Sequence, residues 1–166
     1  FSDDNLLVFN RNSVHLVSGA GQDAKVQLIT NEVGCVARKS IIQVGNNVLF
    51  LSDNGVYGAN FQDLYNLRGN EIPLSSPINP VIQRINRSVW DKSVAVYFDN
   101  RYYLAVALDN SSVNNAILIY NFINKQWESI DTTEDINWNI LDLIVAGKKE
   151  DRAVYAVNTL GGLHKI

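Results

Sequence analysis

The stretch SVAVYFDNRYYLAVALDNSSVNNAILIYNFINKQWESID, residues 93–131, decides the fold of this chain. Four short runs rich in Val, Ile, Tyr, Phe and Trp lie within it, at 94–98, 102–108, 117–122 and 126–130. Their length and β-branched or aromatic content are those of strands. Asp99-Asn100, a polar loop from Asp109, and Ile123-Asn124 separate them. Asp and Asn tolerate positive φ, so Asp99-Asn100 fits a tight hairpin turn. Four consecutive antiparallel strands joined in this way form a meander, the unit from which a β-propeller blade is built.

Working outward, the other segments read as partial copies of that unit. Residues 5–10 and 14–18 flank Arg11-Asn12-Ser13 as a hairpin, a loop covers 19–23, and 26–30 supplies a third strand. Residues 31–39 lack a clear period and cross to the next unit. There IIQV, VLFLS and VYGAN are separated by Gly45-Asn46-Asn47 and Asp53-Asn54-Gly55, a strong meander signal. Residues 61–71 read as a loop. Ser76 as a cap and Pro77 in the first turn predict one helix over about 77–88, with Ile78, Val81, Ile82 and Ile85 on one side. Such a helix would pack across a sheet edge or between blades. After a polar connection at 132–139 holding Trp138, strands at 140–146, 152–157 and 163–166 close the sequence.

These spacings predict an all-β, propeller-type fold with one short helix. The approximate units are 1–33, 34–72, 89–131 and 136–166. That amounts to roughly three and a half sheet units, whereas a propeller closes with at least about four blades. Open edges are therefore expected. The sequence begins at Phe1, holds no Met and stops at Ile166 within a strand-like run, which reads as a piece of a longer polypeptide.

The composition of the 166 residues, 46% hydrophobic and 19% charged, is that of an ordinary globular protein and argues against disorder. With 14 basic and 17 acidic residues, the net charge of −3 gives no electrostatic case for gripping nucleic acid or an acidic membrane. No apolar run is long enough to span a bilayer, and no basic-then-apolar signal pattern opens the sequence. The single Cys35 excludes an internal disulfide and is expected to be a buried or inert thiol.

Candidate chemistry is sparse. His15 and His164 sit singly in strand-like runs, away from any zinc-ligand spacing. Val17-Ser18-Gly19-Ala20-Gly21 lacks the leading glycine of a nucleophile elbow and the spacing of a phosphate loop. Ser52-Asp53-Asn54-Gly55-Val56-Tyr57 approaches the Asp-box of sialidase propellers, but its Asp follows Ser directly and its aromatic comes one position early. A hairpin turn accounts for the same residues.

Asp91, Asp99, Asp109, Glu128, Asp131, Glu134 and Asp135 are the carboxylates from which a glycosidase pair would be drawn; nearly all fall at turns or strand ends. Asp109-Asn110-Ser111 and Asp53-Asn54-Gly55 lack the full calcium-loop pattern. Asn86-Arg87-Ser88 and Asn110-Ser111-Ser112 match the glycosylation sequon, as chance allows in an Asn-rich chain. Tyr97, Phe98, Tyr102, Tyr103, Tyr120, Phe122 and Trp127 read as core and hairpin packing; a stacking platform would need them exposed on one face. No catalytic, cofactor-binding or metal-ligating residue is assigned.

The order of parts resembles the propeller region of the tail nozzle proteins of short-tailed bacteriophages, also called tail tubular protein B, and of related tail accessory proteins beside the portal. The resembling residues are LLVFNRNSVHLVSG (6–19), GCVARKSIIQVGNNVLFLSDNGVYG (34–58), PLSSPINPVIQRIN (73–86) and the hairpins RYYLAVAL and ILIYNFINKQWESID. The likeness is one of element order and composition over most of the chain.

It implies a non-enzymatic structural protein of the virion tail, assembled in the bacterial host cytoplasm. In that setting, copies form a ring continuing the DNA-ejection channel. The implied partners are other copies, tail or portal-adaptor proteins, tail fibres, and DNA passing without sequence-specific binding. An acidic-to-neutral lumen would let DNA slide. A carbohydrate-binding or glycoside-cleaving propeller is the alternative. A Kelch or WD scaffold is disfavoured by the absence of a regular Gly-His…Trp-Asp or double-glycine repeat.

Overall fold

The computed structural model describes residues 5–19, 21–60, 72–132 and 139–166. Among them are thirteen strands in four antiparallel sheets, so the all-β expectation holds. Sheet I is β1 (Asn5–Phe9), β2 (Val14–Ser18) and β3 (Lys25–Thr30), and sheet II is β4 (Ile42–Val44), β5 (Asn47–Ser52) and β6 (Gly55–Asn60). Sheet III is β7 (Val94–Phe98), β8 (Arg101–Val106), β9 (Ala116–Asn121) and β10 (Gln126–Thr132). Sheet IV is β11 (Ile140–Ala146), β12 (Ala153–Asn158) and β13 (Leu163–Lys165). Each is a meander in chain order. The loop reading at 61–71 and most of the connection at 132–139, with Glu134, Asp135 and Trp138, lie outside the described residues.

The turns show why the chain reverses where it does. Asp99 and Asn100 take φ of 47° and 58° between paired Phe98 and Arg101, the mirror-image turn whose twist suits a hairpin. Between β5 and β6 it is Gly55 that carries positive φ, at 129°, while Ser52 pairs with Gly55 across Asp53-Asn54. A Cβ on Gly55 would lie 2.3 Å from Ser75 Oγ, so this position needs glycine for space as well as for conformation.

The sheets pack face on face in the order of the chain. Val14, Leu7, Phe9 and Leu16 of sheet I meet Val48, Phe50, Tyr57 and Ala59 of sheet II. The opposite face of sheet II, through Leu49, Leu51 and Val56, meets Tyr102, Leu104, Val106, Leu118 and Tyr120 of sheet III. The reverse of sheet III, through Val94, Ala105, Ile117 and Ile119, meets Leu143, Val154 and Ala156 of sheet IV. Sheet III is thus covered on both faces. Its interior strand β9, AILIYN, has every residue buried, as its apolar run Ala116 to Tyr120 requires.

The helix expected over about 77–88 is corrected. A 3-10 turn covers Ser76–Ile78, and the α-helical part, α1, is only Asn79–Ile82. Neither start has a side-chain cap; the buried Ser75 instead accepts the Val56 N–H on its hydroxyl at 2.9 Å. Turn bonds carry the chain on through the N–H groups of Gln83, Arg84 and Ile85, and beyond them the backbone finds partners elsewhere. Ile85 bridges Leu108, with Asn86 N–H donating to the Ala107 carbonyl and Asp109 N–H to the Arg84 carbonyl. The apolar spacing nevertheless marks the correct side, since Ile78, Val81, Ile82 and Ile85 all join the core between sheets II and III.

Candidate functional site

The outer faces of the two end sheets carry exposed apolar side chains in adjacent rows. On sheet I the register sets Leu6, Val17 and Val26 in one row and Val8, His15 and Leu28 in the next. Leu6, Val26 and Leu28 are 58%, 69% and 51% exposed. On sheet IV the corresponding rows are Ile144, Tyr155 and Lys165, then Asp142, Val157 and Leu163, with Leu163 55% exposed. Large apolar side chains grouped on a sheet face mark a contact surface more often than isolated ones do.

The interior carries a polar clasp that joins sheets II and III. Ser40 Oγ donates to the Ala37 carbonyl at 2.6 Å and accepts the Leu51 N–H at 2.9 Å. The Ser40 carbonyl accepts the Tyr102 hydroxyl at 2.9 Å. Cys35 adjoins it, its thiol donating to the Ala37 carbonyl at 3.1 Å. Burial pushes the Cys35 thiol up, and raises the fully enclosed Tyr102 hydroxyl far more. A thiol shifted this way is a poor nucleophile. A second link, Asn114, ties sheet III to sheet IV: its Nδ2 donates to the Lys92 and Ile140 carbonyls at 2.8 and 3.0 Å.

The carboxylates named from the sequence are mostly occupied. Arg84 grips Asp109 with both arms of its guanidinium, Nε to Oδ1 at 2.8 Å, and this holds the Asp109 carboxyl below its usual range. Arg101 takes Glu128 at 2.7 Å and Asp99 at 3.2 Å. Glu128 is the extra residue of a bulge between Trp127 and Ser129, which aims it at Arg101 and at Asn121 Nδ2. The Arg101 hydrogen bond, then the Asn121 one, lowers its carboxyl. Asp91 lines a surface cleft, and Asp131 lies on β10.

The remaining candidates are structural in setting. His15 lies on the outer face of sheet I, and His164 Nε2 is 3.1 Å from Asn158 Nδ2. Among the described residues no group of three His, Cys, Asp or Glu side chains could hold a metal. Asn86 of the first sequon is tied into its own turn, accepting Ser88 N–H and Oγ–H and donating to the Ser111 carbonyl.

The aromatics do not make a platform. Tyr102 and Tyr120 are buried, Tyr97, Phe122, Tyr120 and Trp127 meet edge to face at 5.3–5.7 Å, and Trp127 Nε1 donates to the Leu74 carbonyl. Sequence reasoning passed over Ser40, Asn114 and Asn121, the first two because their roles depend on contacts far along the chain. Asn121 alone had a local signal, as a strand-ending Asn that accepts the Ile123 and Asn124 N–H groups in an Asx turn.

No described helix is long and apolar enough to cross a membrane. No protein-family model matches the chain, and a search of curated proteins finds no match.

Proposed function

We propose that this chain is a non-enzymatic structural protein that builds a larger all-β assembly through the outer faces of its end sheets. One observation carries the reading. Three internal junctions each bury one sheet face on another, while the outward faces of sheets I and IV leave Leu6, Val26, Leu28 and Leu163 in solvent. The occupant is a second copy, with sheet I of one on sheet IV of the next. Every internal junction joins a sheet to the one that follows it, and this contact repeats that order. Unlike faces meeting head to tail generate a ring when the rotation closes. Propeller-like stacking within each copy and a ring of copies together suit a channel wall. The resemblance of the element order to phage tail nozzle proteins supports reading that wall as part of a virion tail, next to portal-adaptor proteins and around passing DNA.

Light scattering across a concentration series tests the assembly. Wild type is expected to form closed oligomers. Val26→Glu with Leu28→Glu blocks one face, and Ile144→Glu with Leu163→Glu blocks the other. Each doubly substituted chain should stay monomeric, and their mixture should form a one-to-one dimer through the two faces left intact. A wild type that stays monomeric throughout sinks the reading. Intact mass and negative-stain imaging of the native particle test the tail setting, where a ring of a longer parent chain is expected.

The carbohydrate-cleaving alternative calls for two facing carboxylates beside exposed Trp or Tyr. Asp99 and Glu128, the two that share a partner, are both tied to Arg101, so it gains no support from the described residues.

A further inference from the structure

Two arginines from distant segments converge on one tryptophan. Arg11 lies in the turn between β1 and β2, and Arg87 in the turn after the Ile85 bridge. Their guanidinium carbons stand 5.3 and 5.4 Å from the centre of the Trp90 ring. Each cation is attracted to the ring, but two like charges brought to one side chain repel each other.

The backbone under both is fixed. A Cβ on Gly34 would sit 2.3–2.4 Å from backbone atoms of Asn10 and Arg11, and Cys35 N–H donates to the Asn10 carbonyl at 2.8 Å, so the turn bearing Arg11 is held tightly against the crossover. Arg87 follows Asn86, whose side chain and N–H are both engaged, the latter with the Ala107 carbonyl at 2.8 Å.

The two arginines line a cleft of about 280 Å³ together with Ser88 and Asp91. The Asp53 carboxylate makes a long ion pair with Arg11 at 3.8 Å, beyond hydrogen-bond distance, and among the described residues no carboxylate pairs with Arg87. An adjoining cleft of about 320 Å³ shares Asp91 and adds Arg38, Lys39 and Lys92, of which Lys39 is taken by Asp142 at 2.6 Å. Cations therefore outnumber carboxylates along this edge, although the chain as a whole carries −3.

We propose that Arg11 and Arg87 form a binding site for a tetrahedral oxyanion of the phosphate class. A guanidinium presents paired N–H donors in a planar fork, and two forks match the several oxygens of a phosphate better than the two of a carboxylate. An anion in the cleft that both side chains line would offset the charge of each. The cleft opens to solvent, so a free phosphate ion and a phosphate group on a larger molecule meet the same chemistry. The site is independent of the end-sheet contacts.

The test is a titration of the whole chain with inorganic phosphate at constant ionic strength, followed by phosphorus NMR line width and repeated with phenyl phosphate. Saturable binding is expected in wild type. Arg87→Ala should weaken it at least about tenfold, and Arg87→Lys, which keeps the charge but loses the fork, about severalfold. Arg84→Ala removes the same charge from the Asp109 pair outside the cleft and should change binding less than about twofold. Unfolding midpoints without phosphate establish that each variant is folded. Tighter binding of phenyl phosphate assigns the site to a phosphate carried by a larger molecule, and equal binding assigns it to the free ion. Absence of saturation in wild type, or equal losses in Arg84→Ala and Arg87→Ala, overturns the proposal.

Discussion

Sheets III and I are both antiparallel meanders, yet one is enclosed and the other half open. In β9, AILIYN, every residue is buried; in β3, KVQLIT, the first four are exposed. The difference lies in what covers each sheet. Sheet III has sheet II on one face and sheet IV on the other, whereas among the described residues sheet I has only sheet II. Apolar composition therefore reports that a face is meant to be covered, and position in the stack decides whether this chain does the covering.

The sharpest way to break the comparison is to truncate matched leucines. Leu118 is fully buried in β9, and Leu118→Ala should cost about 2–5 kcal/mol through lost burial and the cavity left behind. Leu28→Ala on the open face of sheet I should change the stability of dilute protein by no more than about 0.5 kcal/mol. Urea denaturation of both variants checks this. A Leu28→Ala loss as large as that of Leu118→Ala in dilute protein would show that the face is already covered. If copies associate as proposed, the Leu28→Ala loss should grow with protein concentration, because the face is then buried by a partner.

The next effect concerns how sheet III is pinned to its neighbour. The Tyr102 hydroxyl donates to the Ser40 carbonyl inside the core, and Tyr102→Phe keeps the ring but leaves that carbonyl without this donor. An unsatisfied buried acceptor costs about 1–3 kcal/mol, so the variant should fall between the two leucine changes. The neighbouring Tyr103 supplies the control. It is half-buried on the other face of β8, and Tyr103→Phe should lose less than Tyr102→Phe in the same urea series. Equal losses would mean that the clasp contributes nothing beyond the aromatic packing.

These particulars show what the sequence could and could not disclose. The strands of sheet III and the Asp99-Asn100 turn were legible because their causes are local: β-branched runs, and residues that accept positive φ. Which of Tyr102 and Tyr103 is the anchor was not legible, since alternation assigns opposite faces without saying what lies against each. The helix was overextended for a related reason. Ile78, Val81, Ile82 and Ile85 carry a helical spacing, but the bridge from Ile85 to Leu108 competes for the same backbone. The convergence of Arg11 and Arg87 on Trp90 left no trace in the sequence, because nothing in the spacing of 11, 87 and 90 brings the three together. Motifs for catalysis were not found in the sequence, and the described residues bring no two of its candidate carboxylates into an unpaired, facing arrangement.

The smallest expected effect sits at the end of sheet III, where Glu128, set by its bulge, receives Arg101 and Asn121. These hydrogen bonds lower the Glu128 carboxyl in the folded chain relative to its unfolded value. A group depressed in this way stabilises the fold above its unfolded titration range, and that contribution fades as pH falls through the folded value. Wild type should therefore exceed Glu128→Gln slightly in its urea midpoint at neutral pH. The gap should close as the pH drops through and below the ordinary glutamate range. Because the pair stands in solvent, added salt should shrink the gap at neutral pH as well. Glu128→Gln keeps an oxygen for Arg101, so what the pH series isolates is the charge. A gap that persisted unchanged into acid would mean that the bulge needs the shape of Glu128 and not its ionisation. The edge of sheet III would then be held by packing, as its centre is.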